Sequence, residues 1–347
     1  MTLFNLLKVR LYNFFTSPIG RYILRSLVHF VYVKTLEKYK KGKKKKFIVA
    51  LTIDTESGYT NKDNSRVWQA SRPDAYIGYY KGIENWRKLL NKYNAKATFF
   101  LCTNGFSAKG NDYNKVISQL KLLSKENHEI GLHTHPDSDL ALQKCLKKKC
   151  NATSARFYNK GEIKKIILES QKLMRKHIGQ KVSSFRWGNW ALDTNAVKVL
   201  NEAGIKVDSS ATPGIKGHIH GTMHYDWSKV NERYPWRLSL KNYQNTIHNN
   251  SKIMELPIAT FNFMGLTLRA DPVYSVLLKA AFDYYYKNAE RSDKPFVFVV
   301  ISHSIEGTHN DGTVTRVIKD TEDFIKHAKK FDDVEFMTMK EAYNKVK

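Results

Sequence analysis

The stretch that most constrains this chain is Phe47-Ile-Val-Ala-Leu-Thr-Ile-Asp-Thr-Glu56. An apolar run rich in Ile and Val, set between a lysine block and two carboxylates, reads as a strand buried on both faces. Asp54 and Glu56 stand two residues apart, so on extended backbone both side chains leave the same face. They fall at the C-terminal end of the strand, where open α/β sheets and β/α barrels gather their active sites. Two carboxylates on one face repel each other unless a cation or a proton separates them. One can then bind a metal while the other works as a base. The bland alternative is a strand end running into a solvated acidic turn.

The rest of the chain repeats the pattern. Apolar runs at 97–102, 128–135, 182–187, 205–210, 253–258, 295–303 and 334–338 read as further strands. Amphipathic stretches at 82–93, 113–126, 162–177, 193–203, 273–287 and 314–330 read as helices between them. Strands that are apolar throughout, alternating with helices, predict an α/β protein with parallel strands. Two segments break the rhythm. A Lys-rich piece carrying Cys145 and Cys150 reads as a surface insertion, and 211–252, rich in His, Trp, Tyr and Asn, reads as a long functional loop. There is no internal repeat.

Charge marks off the N-terminus. The chain of 347 residues has a formal net charge of +26, and residues 1–46 hold twelve Lys or Arg against one acid, Glu37. Phe4, Leu7, Leu11 and Phe14 recur there at near-helical spacing beside Lys8 and Arg10, as in basic amphipathic helices that lie on anionic membranes. The alternative is that these helices pack on the core. The expected division is a basic helical extension over 1–46 and a barrel domain over 47–347. Nucleic acid is a poor partner, since no binding motif accompanies the charge. Three cysteines make neither a disulfide framework nor a paired zinc motif. The first residues have no long apolar core or cleavage site of a signal peptide, and no apolar run is long enough to span a bilayer. A cytoplasmic location, peripheral to the inner face of the membrane, is therefore expected.

Four polar clusters fall at other strand ends. In His133-Thr-His135 two rings leave one side of a strand, as a metal site requires. With Glu56 or Asp54 they make a His/His/carboxylate set with positions left open for water and substrate; Asp137 is an alternative ligand. In Phe185-Arg-Trp-Gly-Asn-Trp190, Arg186 can hold a carboxylate ionised, and Trp187, Asn189 and Trp190 are candidates to contact a sugar ring. Asp208-Ser-Ser210 is the third cluster. In the fourth, Ser302-His303-Ser304, a buried carboxylate beside His303 would orient it as a general acid.

In this order the clusters resemble the motifs of the polysaccharide deacetylase superfamily (NodB homology, carbohydrate esterase family 4). Ala50-Leu-Thr-Ile-Asp-Thr-Glu56 is similar to the first motif, His133-Thr-His-Pro136 stands at the metal histidines, and Phe185-Arg186 is similar to the third. Asp208-Ser209 and Ile301-Ser-His303 resemble the fourth and fifth. The resemblance implies a distorted (β/α) barrel over about 47–345 and a divalent metal, usually zinc, that activates water. It also implies Asp54 as base, Glu56, His133 and His135 as ligands, Arg186 holding Asp54, and Asp208 orienting the acid His303. Thr55 in place of a second aspartate, a histidine spacing of two and Trp-Gly-Asn after Arg186 resemble divergent branches associated with surface-polysaccharide biosynthesis.

The expected activity is metal-dependent removal of an N-acyl group, acetyl or formyl, from an amino sugar or a glycan precursor. The rival readings are hydrolysis of a small cyclic amide or formamide, and a metal- or carbohydrate-binding homologue without catalysis.

Overall fold

The computed structural model describes residues 46–347 apart from 220, 221, 248, 249, 264 and 290–294, together with residues 17, 19, 20 and 23. The expected helices of 1–46 thus lie almost wholly outside the described residues.

Seven parallel strands build the body: β1 (Phe47–Thr55), β2 (Ala97–Cys102), β3 (Glu129–Thr134), β4 (Ser184–Trp187), β5 (Val207–Asp208), β6 (Met254–Glu255) and β7 (Phe296–His303). Their order across the sheet is β6-β5-β4-β3-β2-β1-β7. The ring closes between its two ends: Ile258, just after β6, bridges to Val299 of β7, and the Ala259 amide donates to the Val299 carbonyl at 3.0 Å. This is the distorted (β/α) barrel that the sequence leads one to expect. An eighth strand, β8 (Val334–Phe336), pairs with the first residues of β1, leaving the later half of that edge to β2.

All nine residues of β1 are buried, because helices cover one face and the barrel interior the other. Phe47, Val49, Leu51 and Ile53 join the large core beneath the helices, whereas Ile48 and Ala50 join a smaller cluster with Val297, Val299, Ile301 and Phe100. Met337, Met339 and Ala342 belong to that smaller cluster, so the chain's last helix closes the lower end of the barrel. The inward residues of β1 and β7 are in register: Ile48 beside Val297, Ala50 beside Val299, Thr52 beside Ile301, and Asp54 beside His303. The ladder is apolar at its base and ionisable at its top, which fixes the floor and the mouth of the site.

Two segments differ from expectation. Residues 140–146 form a helix, and Cys150 is buried among the core residues, so this piece is built into the wall of the domain. The stretch 211–252 holds a hairpin, Lys216–Ile219 with Thr222–Asp226, and buries Trp227 completely. No helix among the described residues is long and apolar enough to cross a membrane.

Candidate active site

Register gathers the site. Asp54 pairs across the sheet with His303 and with Phe100, and His133 pairs with Cys102 and Arg186, so all these positions share the inner face. Arg186 is fully buried. Its guanidinium donates to Asp54 Oδ1 at 2.7 Å, to the Ser209 carbonyl at 2.8 Å and to the Ser209 hydroxyl at 2.9 Å. It lies over the Phe100 ring, 4.4 Å from the centroid. Gly131 makes room for that ring: a Cβ there would stand 2.7 Å from Phe100 Cδ1. Arg186 is therefore fixed on every side, and removing either partner of the buried pair would cost about 3–5 kcal/mol.

Glu56, His133 and His135 converge, with one donor atom from each inside a span of 4.8 Å. Glu56 Oε1 is 3.0 Å from His133 Nε2 and 3.4 Å from His135 Nε2. His133 Nδ1 donates to the Arg186 carbonyl at 2.9 Å, which fixes the ring with Nε2 toward Glu56, to which it is hydrogen-bonded. Burial alone would raise Glu56, but the two imidazoles outweigh it and hold the carboxyl well below its ordinary value. Burial alone would lower His135, yet Glu56 and Asp137 carry it to about 10. Imidazole protons supply the positive charge that this carboxylate calls for, and a divalent cation that displaced them would fit the same donor set. Asp137 is not among the converging atoms. Its Oδ1 lies 3.4 Å from Nδ1 of His135, the nitrogen other than the one facing Glu56. It holds the ring from behind, as outer carboxylates at metal sites do. A second group, Asp54, Glu56 and His303, shares the same carboxylates.

His303 Nε2 stands 3.9 Å from Asp54 Oδ2. Burial would lower this imidazole, but Glu306 outweighs it, with help from Asp54 and Glu56, and takes it to about 8. Asp208 is not its partner, and this corrects the expectation. β5 is two residues long, and Asp208 pairs in register with Phe185 and Glu255, on the face opposite Arg186. Its carboxylate accepts from the Ser210 hydroxyl at 2.9 Å and amide at 3.1 Å. The carboxylate at His303 is Glu306, whose Oε2 is 3.4 Å from Nδ1. An acid three residues after a strand-end histidine was the available signal, since one turn brings it back beside the ring.

The cleft above these groups has a volume of about 320 Å³ and is walled by Trp68, Gln69, Asn189 and Trp190. Asn189 and Trp190 both have positive φ, +51° and +57°, which turns them into the cleft at a cost in backbone strain. Arg269 stacks on Trp190, 3.8 Å from the ring centroid. Trp187 corrects the other expectation. It is fully buried with its Nε1 donating to the Thr153 carbonyl at 2.8 Å, so it is a core residue and lines no cleft.

The family profile for polysaccharide deacetylases matches residues 41–207. Among solved structures, a protein described as a polysaccharide deacetylase from Mycobacterium smegmatis aligns with TM-score 0.58 and 15% identity, covering 88% of this chain and 92% of its own. Puue allantoinase aligns with TM-score 0.56 and 12% identity, covering 88% and 94%. A protein described as a glycoside hydrolase/deacetylase from Parabacteroides distasonis aligns with TM-score 0.58 and 11% identity, covering 87% and 71%. No curated protein matches the sequence. Residues 41–207 thus match the polysaccharide deacetylase profile, and the barrel is the fold that these solved structures share.

Proposed function

We propose that the protein is a divalent-metal-dependent N-deacylase that frees acetate or formate from an amino sugar or a glycan precursor. The observation that carries this reading is the shared cleft. A carboxylate held by a buried arginine, an imidazole of raised pKa and a His/His/Glu donor set open into one small cavity. Amide hydrolysis needs an activated water, stabilisation of the oxyanion and a proton for the leaving amine.

Glu56, His133 and His135 would hold the cation, most simply zinc, which suits two imidazoles, one carboxylate and open positions. Bound there, such a metal supplies Lewis-acid polarisation and a more acidic water. Asp54, 2.7 Å from Arg186, takes the proton of the attacking water. Arg186 keeps that carboxylate aimed. His303 gives a proton to the departing nitrogen, and Asn189 and Trp190 form the wall against which a sugar ring rests. Burial of Glu56, His133 and His303 limits competing water in the site.

Elemental analysis of wild type and His133→Ala, beside acetate and formate release from N-acylated amino sugars, tests this. One metal per chain, lost in the variant, with acyl release is the expected result. A chain that takes up no metal when supplied with it would overturn the mechanism. The small cleft also suits a cyclic amide or formamide, so both belong in the substrate panel; release from these alone would shift the reading to a small-amide hydrolase. Metal with no release from any of them would leave a binding homologue.

The basic residues of 1–46 and the departures within the motifs support a substrate presented at the cytoplasmic membrane face, such as a lipid-linked or nucleotide-linked sugar, and zinc as the resident metal. Deleting 1–46 should then release the protein from anionic vesicles. Unchanged partitioning would remove the membrane from the proposal.

A further inference from the structure

Glu306 reaches His303 by folding back over the short turn Ser304–Gly307, and it is fully buried. Its Oε2 accepts from the Ser302 hydroxyl at 2.7 Å and from the His303 amide at 2.9 Å, and lies 3.4 Å from His303 Nδ1. Its Oε1 pairs with an Arg66 guanidinium nitrogen at 2.8 Å. Arg66 comes from a hairpin, Gly58–Thr60 with Arg66–Trp68, that grows out of the loop after β1. The same strand sets Trp68 edge-on against His303, with ring centroids 5.0 Å apart. The hairpin is tied to the turn in its own right. The Thr60 hydroxyl donates to the Ile305 carbonyl at 2.8 Å, and the Thr60 amide to the Thr308 carbonyl at 3.0 Å.

A carboxylate pinned by two donors on one oxygen and an arginine on the other cannot swing away. It presents a fixed acceptor to the Nδ1 side of the ring, while Trp68 restricts the ring plane. The carboxylate charge 3.4 Å from Nδ1 favours a proton on that nitrogen and leaves Nε2 toward Asp54 and the cleft, the nitrogen that must exchange a proton with substrate. We propose that Glu306, anchored by Arg66 of the hairpin, is the positioning residue of the acid His303. The role that the motif order offers to Asp208 has passed to a residue on the turn beyond β7. The assignment of His303 as the acid rests on the deacylase reading; the fixing of its tautomer does not.

Two measurements separate the parts. The first is the long-range ¹H–¹⁵N spectrum of the zinc-supplied, ¹⁵N-histidine-labelled protein at a pH where the His303 ring is neutral. Wild type should show the Nδ1–H tautomer. Glu306→Gln should shift the ring to Nε2–H or a mixture, because the amide has a donor where the acceptor stood, the change that disables an acid–base histidine elsewhere. Arg66→Met, outside the barrel, should produce a smaller shift in the same direction and guards against a Glu306 variant that fails to fold. An unchanged tautomer in folded Glu306→Gln overturns the proposal.

The second measurement compares acyl release from N-acetylglucosamine oligomers with release from 4-nitrophenyl acetate. An amine must be protonated to leave, whereas a nitrophenolate need not be. Glu306→Gln should lose on the order of 10²-fold in kcat on the amide with little change in KM, and less than about 5-fold on the ester. Equal losses on both overturn acid positioning. A wild type that holds the Nδ1–H tautomer but releases acyl groups from neither overturns the deacylase reading and leaves the positioning intact.

Discussion

The barrel wall carries two buried carboxylate pairs, and they behave oppositely. Asp54 and Glu56 stand on the inner face with Arg186, His133, His135 and His303 around them. Asp208 and Glu255 stand on the outer face of β5 and β6, equally buried and in register with each other. Arg186 reaches Asp54 at 2.7 Å, whereas what the outer pair receives is the hydroxyl and amide of Ser210 and the amide of Ala211. Burial therefore wins at Glu255. It pushes that carboxyl well above the usual range, and the Asp208 charge adds to it. Arg186 and the histidines hold the inner pair at the cleft, while burial favours a proton on Glu255 and leaves the outer pair as a strut between strands. Depth does not separate a site from a scaffold here; the side of the strand does.

The sharpest way to break that comparison is to remove the same charge from each face. Asp54→Asn should lower kcat on the order of 10³-fold, the scale of a lost general base, in a chain that still binds metal through Glu56, His133 and His135. Asp208→Asn should keep activity within about tenfold, since its contacts lie outside the cleft. Steady-state kinetics on one substrate, with metal content alongside, decide it. A deeper loss in Asp208→Asn than in Asp54→Asn would return Asp208 to the catalytic machinery.

Most of the inner face was legible because β1, β3, β4 and β7 are long enough for strand parity to be read. Asp54, Glu56, His133, His135, Arg186 and His303 come together as the motif order leads one to expect. Asp208 misled because β5 has only two residues: its burial on both faces hides which way a side chain points. Trp187 misled for the same reason in reverse, since it follows an inward arginine and so must point out. Arg66 and Trp68 were not legible, and Glu306 left only the faint signal of its spacing from His303. Two sit on a short hairpin without apolar alternation, and the third reaches its partner through a turn. Turns and irregular loops fix contacts by local geometry, which has no period to read.

The two tryptophans after Arg186 sharpen the comparison at a smaller scale. Trp190→Phe should raise KM roughly 3–10-fold with kcat nearly kept, as for a wall residue that binds ground and transition states alike. Trp187→Phe should leave KM alone and cost roughly 1–3 kcal/mol, through a lost hydrogen bond to Thr153 and an unfilled volume in the core. Chemical denaturation beside initial rates separates them. A KM effect at Trp187 would mean that the substrate reaches beneath the strand.

The smallest effect concerns the outer pair's proton. Unfolded, Glu255 ionises near its ordinary value of 4.5; folded, burial and Asp208 hold it well above. Between those two values the folded chain keeps a proton that the unfolded chain has released. The native state then binds more protons, and stability falls as pH rises. In Glu255→Gln the side-chain oxygen can still accept from the Ala211 amide, and the neutral side chain never places a second charge beside Asp208. The variant should match wild type near pH 4, where both states of Glu255 are protonated, and gain on it steadily toward pH 8. Thermal unfolding across that range reads the gap directly. A gap that widens toward acid instead would mean that Glu255 is ionised in the folded protein, and the two faces of the wall would not differ as argued.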